Sequence, residues 1–171
     1  LKRCFMLVNL TKVFQGEEKV KQLQLEFDFS QEEISCDATF EQPVKAELEL
    51  RKGNGETFIK LNVNATAVCS CARCLKLFSR EFDFSQDFVI TPDILTQPDP
   101  EIPVSSDNIL DVKQLVYQEL SLEIPNALVC SEDCQGLCQF CGRPKSENCG
   151  CEDKQIDPRL LILKQLLQED E

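Results

Sequence analysis

Residues 44–67 read VKAELELRKGNGETFIKLNVNATA, a pattern that predicts an antiparallel β-hairpin. Apolar residues occupy every second position from Val44 to Leu50, so they share one face of a half-buried strand. The Gly-Asn-Gly sequence at 53–55 supplies the turn, and apolar residues alternate again from Leu61 to Ala67 in the returning strand. The alternation slips by one position between Phe58 and Leu61, which allows a β-bulge there.

Further strand patterns lie on both sides of this hairpin. Residues 23–29 alternate strictly, and residues 34–40 form a weaker candidate. Residues 78–84 and 88–90 predict another strand. Because the connecting segments are short, we expect the strands to pair antiparallel.

Two helices are predicted in the second half of the chain. Asp107 or Asp111 can cap a helix that runs to about Leu122 and is ended by Pro125. Its buried face would carry Leu115, Val116 and Leu120. The Asp-Pro pair at 157–158 begins a second helix, with apolar residues at Leu160, Leu163, Leu166 and Leu167.

These patterns predict an α+β fold: an antiparallel β-sheet core with two helices and a cysteine-rich, zinc-binding C-terminal segment. We divide the chain into a β-rich core at 1–90, an acidic, proline-containing loop at 91–106, and a helical and cysteine-rich part at 107–171. We expect these parts to form one integrated domain, because 171 residues with 42% hydrophobic content suffice for one core.

Composition excludes several classes of function. The chain has no histidine, which removes catalytic schemes that depend on an imidazole. Its formal net charge of −12 argues against an electrostatic grip on bare nucleic acid and favours basic partners. No apolar run approaches the length of about 20 residues that crosses a bilayer, and we expect no signal peptide, so the predicted location is the cytoplasm.

The cysteines carry the strongest chemical signal. Nine of the eleven lie within residues 69–74 and 130–151. In a reducing compartment disulfides rarely persist, whereas close cysteine pairs bring several sulfurs onto one metal ion. Zinc takes four such ligands in a tetrahedron. The predicted ligands form four close pairs: Cys71 and Cys74, Cys130 and Cys134, Cys138 and Cys141, Cys149 and Cys151.

Eight ligands make two complete zinc sites, but the spacing leaves their partition open. We favour one site from Cys71, Cys74, Cys130 and Cys134, and a local second site from Cys138, Cys141, Cys149 and Cys151. The competing partition joins the first pair to Cys138 and Cys141. A single zinc ion is a further alternative.

The remaining cysteines have a simpler interpretation. Cys4 and Cys36 lie outside the clusters in the sequence. Unpaired cysteines are usually small buried hydrophobic residues, and we expect this role for both. Cys69 points with Cys71 by alternation, and core packing is the favoured role for it. Thiol redox chemistry of the paired cysteines would need a strand followed by a helix, whereas residues 75–84 predict another strand.

The motif order resembles a known family. The chain presents Cys71-Ala72-Arg73-Cys74-Leu75, then an acidic loop, then a helix that ends in Glu123-Ile124-Pro125. Next comes Cys130-Ser131-Glu132-Asp133-Cys134-Gln135-Gly136-Leu137-Cys138. Cys141-Gly142, Cys149-Gly150-Cys151 and Asp157-Pro158-Arg159-Leu160 follow. This order is similar to the YceD family of large ribosomal RNA subunit accumulation proteins.

The resemblance implies a cytoplasmic bacterial or organellar protein that supports the synthesis, processing or stability of large-subunit (23S) ribosomal RNA. No catalytic activity comes with it, so we predict a non-enzymatic ribosome biogenesis factor. The expected partner is a basic ribosomal protein or assembly factor. Direct binding of ribosomal RNA by a zinc module is one alternative, although residues 126–171 carry 5 basic against 9 acidic residues. A thiol redox protein is another.

Overall fold

The computed structural model describes residues 7–15, 20–32, 34, 38–53, 55–91, 102–105, 107–147 and 149–151. These residues belong to two compact units. The sheet unit comprises residues 1–72 and 76–130, and the cysteine unit comprises residues 73–75 and 131–171. Each unit is described by itself.

A four-stranded antiparallel sheet forms the centre of the sheet unit. Its strands are β2 (Val20–Phe27), β3 (Val44–Lys52), β4 (Thr57–Ser70) and β5 (Leu77–Ile90), in the order β2-β3-β4-β5. A second, two-stranded sheet pairs β1 (Leu7–Asn9) with β6 (Ile109–Asp111). The unit also contains two helices, α1 (Leu10–Gln15) and α2 (Val112–Glu123). The predicted α+β fold with an antiparallel sheet and two helices is therefore confirmed, although only α2 is one of the two helices predicted by position.

The register of β3 and β4 corrects one expectation from the sequence. Their pairing runs without interruption from Lys45↔Asn64 to Lys52↔Thr57, so the β-bulge allowed near Phe58 is absent from this ladder. The buried alternation continues through Ile59, and Phe58 lies on the opposite, exposed face. The apparent slip arises because Phe58 is an apolar residue on the exposed face of the strand.

Two other strand predictions are revised in detail. Residues 34–40 do not form a strand in their described part; they contribute the isolated bridges Ile34↔Ala38 and Thr39↔Val68. The strand predicted from residues 78–84 and 88–90 is confirmed as β5, which also includes residues 85–87 and pairs with β4 along its whole length.

The core lies on one face of the four-stranded sheet. In β4, every second side chain from Thr57 to Cys69 is buried. Burying alternate side chains while the others face solvent is the usual pattern of an antiparallel sheet with one covered face. Helix α2 buries Leu115, Val116 and Leu120 in the same core, as predicted.

The bounds of α2 follow from its caps. The Asp111 carboxylate accepts a hydrogen bond from the backbone N–H of Gln114 at 3.1 Å, so Asp111 and not Asp107 is the N-cap. The helix ends at Glu123, two residues before Pro125, and Ile124 is the C-cap. The short elements α1, β1 and β6 were not predicted, since three to six residues carry too little periodicity.

The cysteine unit has little regular structure in its described part. A single turn of 3-10 helix spans Lys145–Glu147. An isolated antiparallel bridge joins Leu137 to Pro144. The helix predicted from Asp157 lies outside the described residues, as does most of the proline-containing loop at 91–106.

The buried face of β4 provides a direct test of this fold. We expect Leu61→Ala to lower the free energy of unfolding by about 2–5 kcal/mol, because Leu61 is fully buried and the change leaves a cavity. Asn64→Ala is the matched control on the exposed face of the same strand, with an expected change within about 0.5 kcal/mol. Urea denaturation followed by circular dichroism measures both, and equal losses would contradict the assigned faces.

Candidate metal centres

The first C-x-x-C turn begins where β4 ends. Cys71 continues the buried alternation of that strand and is fully buried. The Cys71 backbone N–H donates a hydrogen bond to the Lys76 carbonyl at 2.9 Å, closing a tight turn around the pair. Leu75, directly after Cys74, has φ of 60°, a left-handed conformation that costs a leucine about 1–2 kcal/mol.

The second C-x-x-C turn repeats this plan in the cysteine unit. The Cys138 N–H donates to the Arg143 carbonyl at 2.7 Å, the same five-residue separation as in the first turn. Here the left-handed position after the second cysteine is Gly142, with φ of 71°. The Gly142 N–H also donates to the Cys138 carbonyl at 2.9 Å. Each turn thus points two cysteines in one direction, the arrangement that a metal requires from a local pair.

The structure gathers the eight paired cysteines into two groups of four. One group is Cys71, Cys74, Cys130 and Cys134, and the other is Cys138, Cys141, Cys149 and Cys151. Within each group all sulfur atoms lie within 4.8 Å of one another. These groups match the favoured partition and not the competing one, in which Cys71 and Cys74 join Cys138 and Cys141.

The donor set fits zinc. With Zn–S bonds of about 2.3 Å, the sulfurs of a tetrahedral site lie about 3.8 Å apart. Sulfurs gathered within 4.8 Å therefore need only small movements to take one ion. Soft thiolate ligands without histidine or carboxylate also suit zinc better than magnesium or calcium. Each four-cysteine group could hold one metal ion.

Hydrogen bonds organise the chain around Cys130 and Cys134. The Cys130 backbone N–H lies 3.4 Å from the Cys71 sulfur and donates to it. The Cys134 N–H donates to the Ser131 carbonyl at 3.2 Å, which makes residues 131–134 a turn. A backbone donor aimed at a sulfur stabilises its thiolate form, the form that binds metal.

Arg73 has a role that the sequence did not reveal. Its guanidinium donates to the carbonyl of Glu132 at 3.3 Å and to that of Cys134 at 3.0 Å. Both hydrogen bonds come from the same terminal nitrogen, Nη1, which carries two N–H donors. Arg73 therefore holds the 131–134 turn. The sequence feature that could have indicated this role is the position of Arg73 between the two cysteines of the first C-x-x-C.

Cys138 is the residue of the second group most disposed to ionise. Backbone N–H groups of Cys141 and Phe140 donate to its sulfur and lower its pKa to about 6. Cys138 is also the buried member of the group, while Cys141 and Cys151 are exposed. A buried thiolate held by backbone donors is a ready first ligand.

The pKa values of Cys149 and Cys151 are raised, in contrast to that of Cys138. The Cys151 N–H acts to lower the pKa of Cys149, but hydrogen bonds with the Cys138 and Cys141 side chains outweigh it and raise that pKa. Hydrogen bonds with Cys141 and Cys149 raise the pKa of Cys151 to about 12. Four sulfurs this close share protons because several thiolates repel one another, and a bound cation would relieve that repulsion.

Of the three remaining cysteines, Cys69 alone is among the described residues. Cys69 is fully buried in the hydrophobic core and belongs to neither group of four. Cys4 and Cys36 lie outside the described residues. The first C-x-x-C is followed by strand β5, so it lacks the helix that a thioredoxin-like turn places there.

Comparison with known proteins places this chain in a family. The family model described as large ribosomal RNA subunit accumulation protein YceD matches residues 59–167, more than half of the sequence. The chain belongs to the YceD family. The match begins in β4 and contains all eight cysteines of the two groups.

Curated relatives of this YceD family member occur in mycobacteria. Uncharacterized proteins of Mycobacterium bovis and Mycobacterium tuberculosis are each 33% identical to it over 109 residues, which is 61% of this chain and 53% of theirs. An uncharacterized protein of Mycobacterium leprae is 25% identical over 134 residues, 75% of this chain and 61% of its own. The chain therefore spans about half the length of the first of these relatives. No solved structure matches it.

Within the described part of the chain, no helix combines the length and apolar character needed to span a membrane.

Gly142 allows a test of the second turn. An added Cβ would meet no atom within 4 Å, so Gly142→Ala perturbs only the left-handed backbone. A penalty of about 1–2 kcal/mol should weaken zinc binding roughly tenfold. Competition with a chromogenic chelator measures the affinity. Gln139→Ala, an exposed change in the same turn, should leave it unaltered, and equal affinities for all three proteins would contradict the proposed strain.

Proposed function

We propose that this protein is a non-enzymatic ribosome biogenesis factor that supports the synthesis, processing or stability of large-subunit ribosomal RNA. The observation that carries the proposal is the family match over residues 59–167, whose description concerns accumulation of the large ribosomal RNA subunit. The proposed route is contact with a basic ribosomal protein or assembly factor in the cytoplasm. The formal net charge of −12 supports a basic protein partner over bare RNA.

Zinc is proposed as a structural component of this factor. Two groups of four cysteines offer eight thiolates and no other ligand type. A zinc ion held by four thiolates has no open coordination position for water or substrate, which is the character of structural sites. In this proposal the residues Cys71, Cys74, Cys130 and Cys134 hold one ion, and Cys138, Cys141, Cys149 and Cys151 hold the other.

The charge of such sites strengthens the preference for basic partners. Each ion with four thiolates contributes +2 − 4 = −2, so two sites change the formal charge from −12 to about −16. Arg73 and Lys76 accompany the first turn, and Arg143 and Lys145 accompany the second. These cations offset the local thiolate charge but leave the chain strongly acidic.

The closed donor set also supports the absence of catalysis. Catalytic zinc sites usually have three protein ligands and one exchangeable position. The chain has no histidine to act as a general base near neutral pH. The proposed role of the metal is therefore to order the cysteine-rich segment, because so few of its described residues are buried.

Metal content tests the zinc assignment. Under reducing conditions we expect about two zinc ions per chain, and about one after Cys141→Ser, because serine replaces only one site's thiolate. Mass spectrometry of the metal, with counting of reactive thiols, gives both numbers. Cys69→Ala is the control and should retain two ions, since Cys69 lies outside both groups. Reactive thiols without metal would exclude zinc and favour redox chemistry.

Depletion in cells tests the biological role. We expect loss of the protein to lower large-subunit relative to small-subunit ribosomal RNA, measured by quantitative electrophoresis of total RNA. Wild-type protein should restore the ratio, and a Cys138→Ser, Cys141→Ser double variant should restore it less. An unchanged ratio after complete depletion would refute the proposed function. Salt-dependent binding of naked ribosomal RNA by the purified protein would instead favour direct RNA contact.

A further inference from the structure

Strand β5 forms one edge of the four-stranded sheet. It is 14 residues long and pairs with β4 on one side. Among the described residues, no strand or isolated bridge pairs with its other side. An open edge of this kind presents a row of backbone N–H and C=O groups that can pair with another extended chain.

The outward face of β5 is acidic. Glu81, Asp83 and Asp87 are exposed and lie at alternating positions of the strand, on the face away from the core. The other outward residues from Ser79 to Val89 are uncharged, so this face of the strand has no basic residue. Glu81 and Asp83 lie opposite Thr66 and Asn64 of β4, which do not neutralise them, and only Asp87 faces a lysine, Lys60.

The inward face of the same strand is mainly aromatic, and Arg80 and Gln86 are its exposed polar residues. Phe78, Phe84 and Phe88 pack against the core but remain partly exposed, whereas Phe82 is buried. Because these rings belong to an edge strand, a further strand alongside β5 would cover part of their remaining surface. The strand thus offers three complementary features: open backbone, acids on one face and partly exposed rings on the other.

We propose that β5 binds an extended peptide in which basic side chains alternate with apolar ones, by strand addition at its open edge. Basic residues of the added strand would lie beside Glu81, Asp83 and Asp87, where opposite charges on neighbouring strands stabilise pairing. Apolar residues would then point to the face that carries the phenylalanines, because successive side chains alternate between faces. The choice of a basic protein as the source of this peptide rests on the proposed function.

Other occupants fit this edge less well. A second copy of β5 would bring acidic residues against acidic residues, which destabilises strand pairing. A nucleic acid would meet the same repulsion from its phosphates. The opposite edge strand, β2, has a single acidic residue on its outward face, Glu26, and so lacks the charge row.

A synthetic peptide provides the direct test. The probe is a fluorescent peptide of about ten residues that alternates lysine with valine, a length that β5 can accommodate. A peptide of the same composition, with the lysines and valines in two separate blocks, is the matched control for charge. Fluorescence anisotropy with the full chain at physiological salt should show tighter binding of the alternating peptide. Equal affinities, or no binding of either peptide, would overturn the proposal.

Charge substitutions locate the binding strand. The triple variant Glu81→Gln, Asp83→Asn, Asp87→Asn should bind the alternating peptide roughly tenfold more weakly, because three cross-strand charge pairs are lost. The control variant Glu26→Gln, Glu47→Gln, Glu56→Gln removes the same charge elsewhere in the sheet unit. Its affinity should stay within about twofold of wild type. Equal weakening in both variants would show non-specific attraction and sink the assignment to β5.

Hydrogen exchange separates strand addition from surface adhesion. Bound peptide should protect alternate backbone amides of β5 and leave those of β2 unchanged, since only one edge gains partners. Protection at β2, or none at β5, would refute the geometry. These binding measurements use purified components and are independent of the depletion experiment. If peptide binding fails but depletion lowers large-subunit RNA, only the docking site on β5 is refuted. If the peptide binds β5 but depletion leaves the RNA ratio unchanged, the docking site stands and the proposed cellular role is refuted.

Discussion

Leu48, Leu61 and Val63 lie almost wholly out of solvent at the centre of the sheet, and their burial dictates the alignment of the surrounding strands. Because side chains alternate between faces, a shift of one residue in β4 would expose its entire apolar set. The same two-residue period continues beyond the sheet centre to Cys69 and Cys71. The buried position of Cys71, the first cysteine of the candidate metal centres, is thus a consequence of core packing in β4.

The two C-x-x-C turns show how one backbone geometry can be reached with different residues. Both place a left-handed residue directly after the second cysteine and close with a hydrogen bond across five residues. Gly142 adopts this conformation without a steric penalty, whereas Leu75 does so with a side chain that is 66% exposed. Because the Leu75 side chain is largely exposed, it gains little free energy from burial. The hydrogen bonds of the surrounding turn must therefore offset its backbone strain.

Charge links the candidate metal centres to the proposed biology. The proposed zinc sites would add negative charge to a chain that is already acidic, and β5 presents three acids on one face. Both features favour a basic protein partner and oppose contact with phosphate. The edge acids also discourage pairing between identical chains, so a strand that recruits a basic partner is protected from self-association by the same residues.

The sequence by itself determined the strand-rich architecture, the choice of Asp107 or Asp111 as the helix N-cap, and the eight cysteines as candidate metal ligands in close pairs. These features depend on local periodicity and short spacing, which a linear pattern contains. Tertiary structure alone decided that Phe58 faces outward, that Arg73 binds two carbonyls of the 131–134 turn, and which cysteine pairs share a group. Those outcomes depend on contacts between residues far apart in the sequence, such as Arg73 and Cys134, which are separated by 61 positions. Spacing along the chain does not encode such contacts.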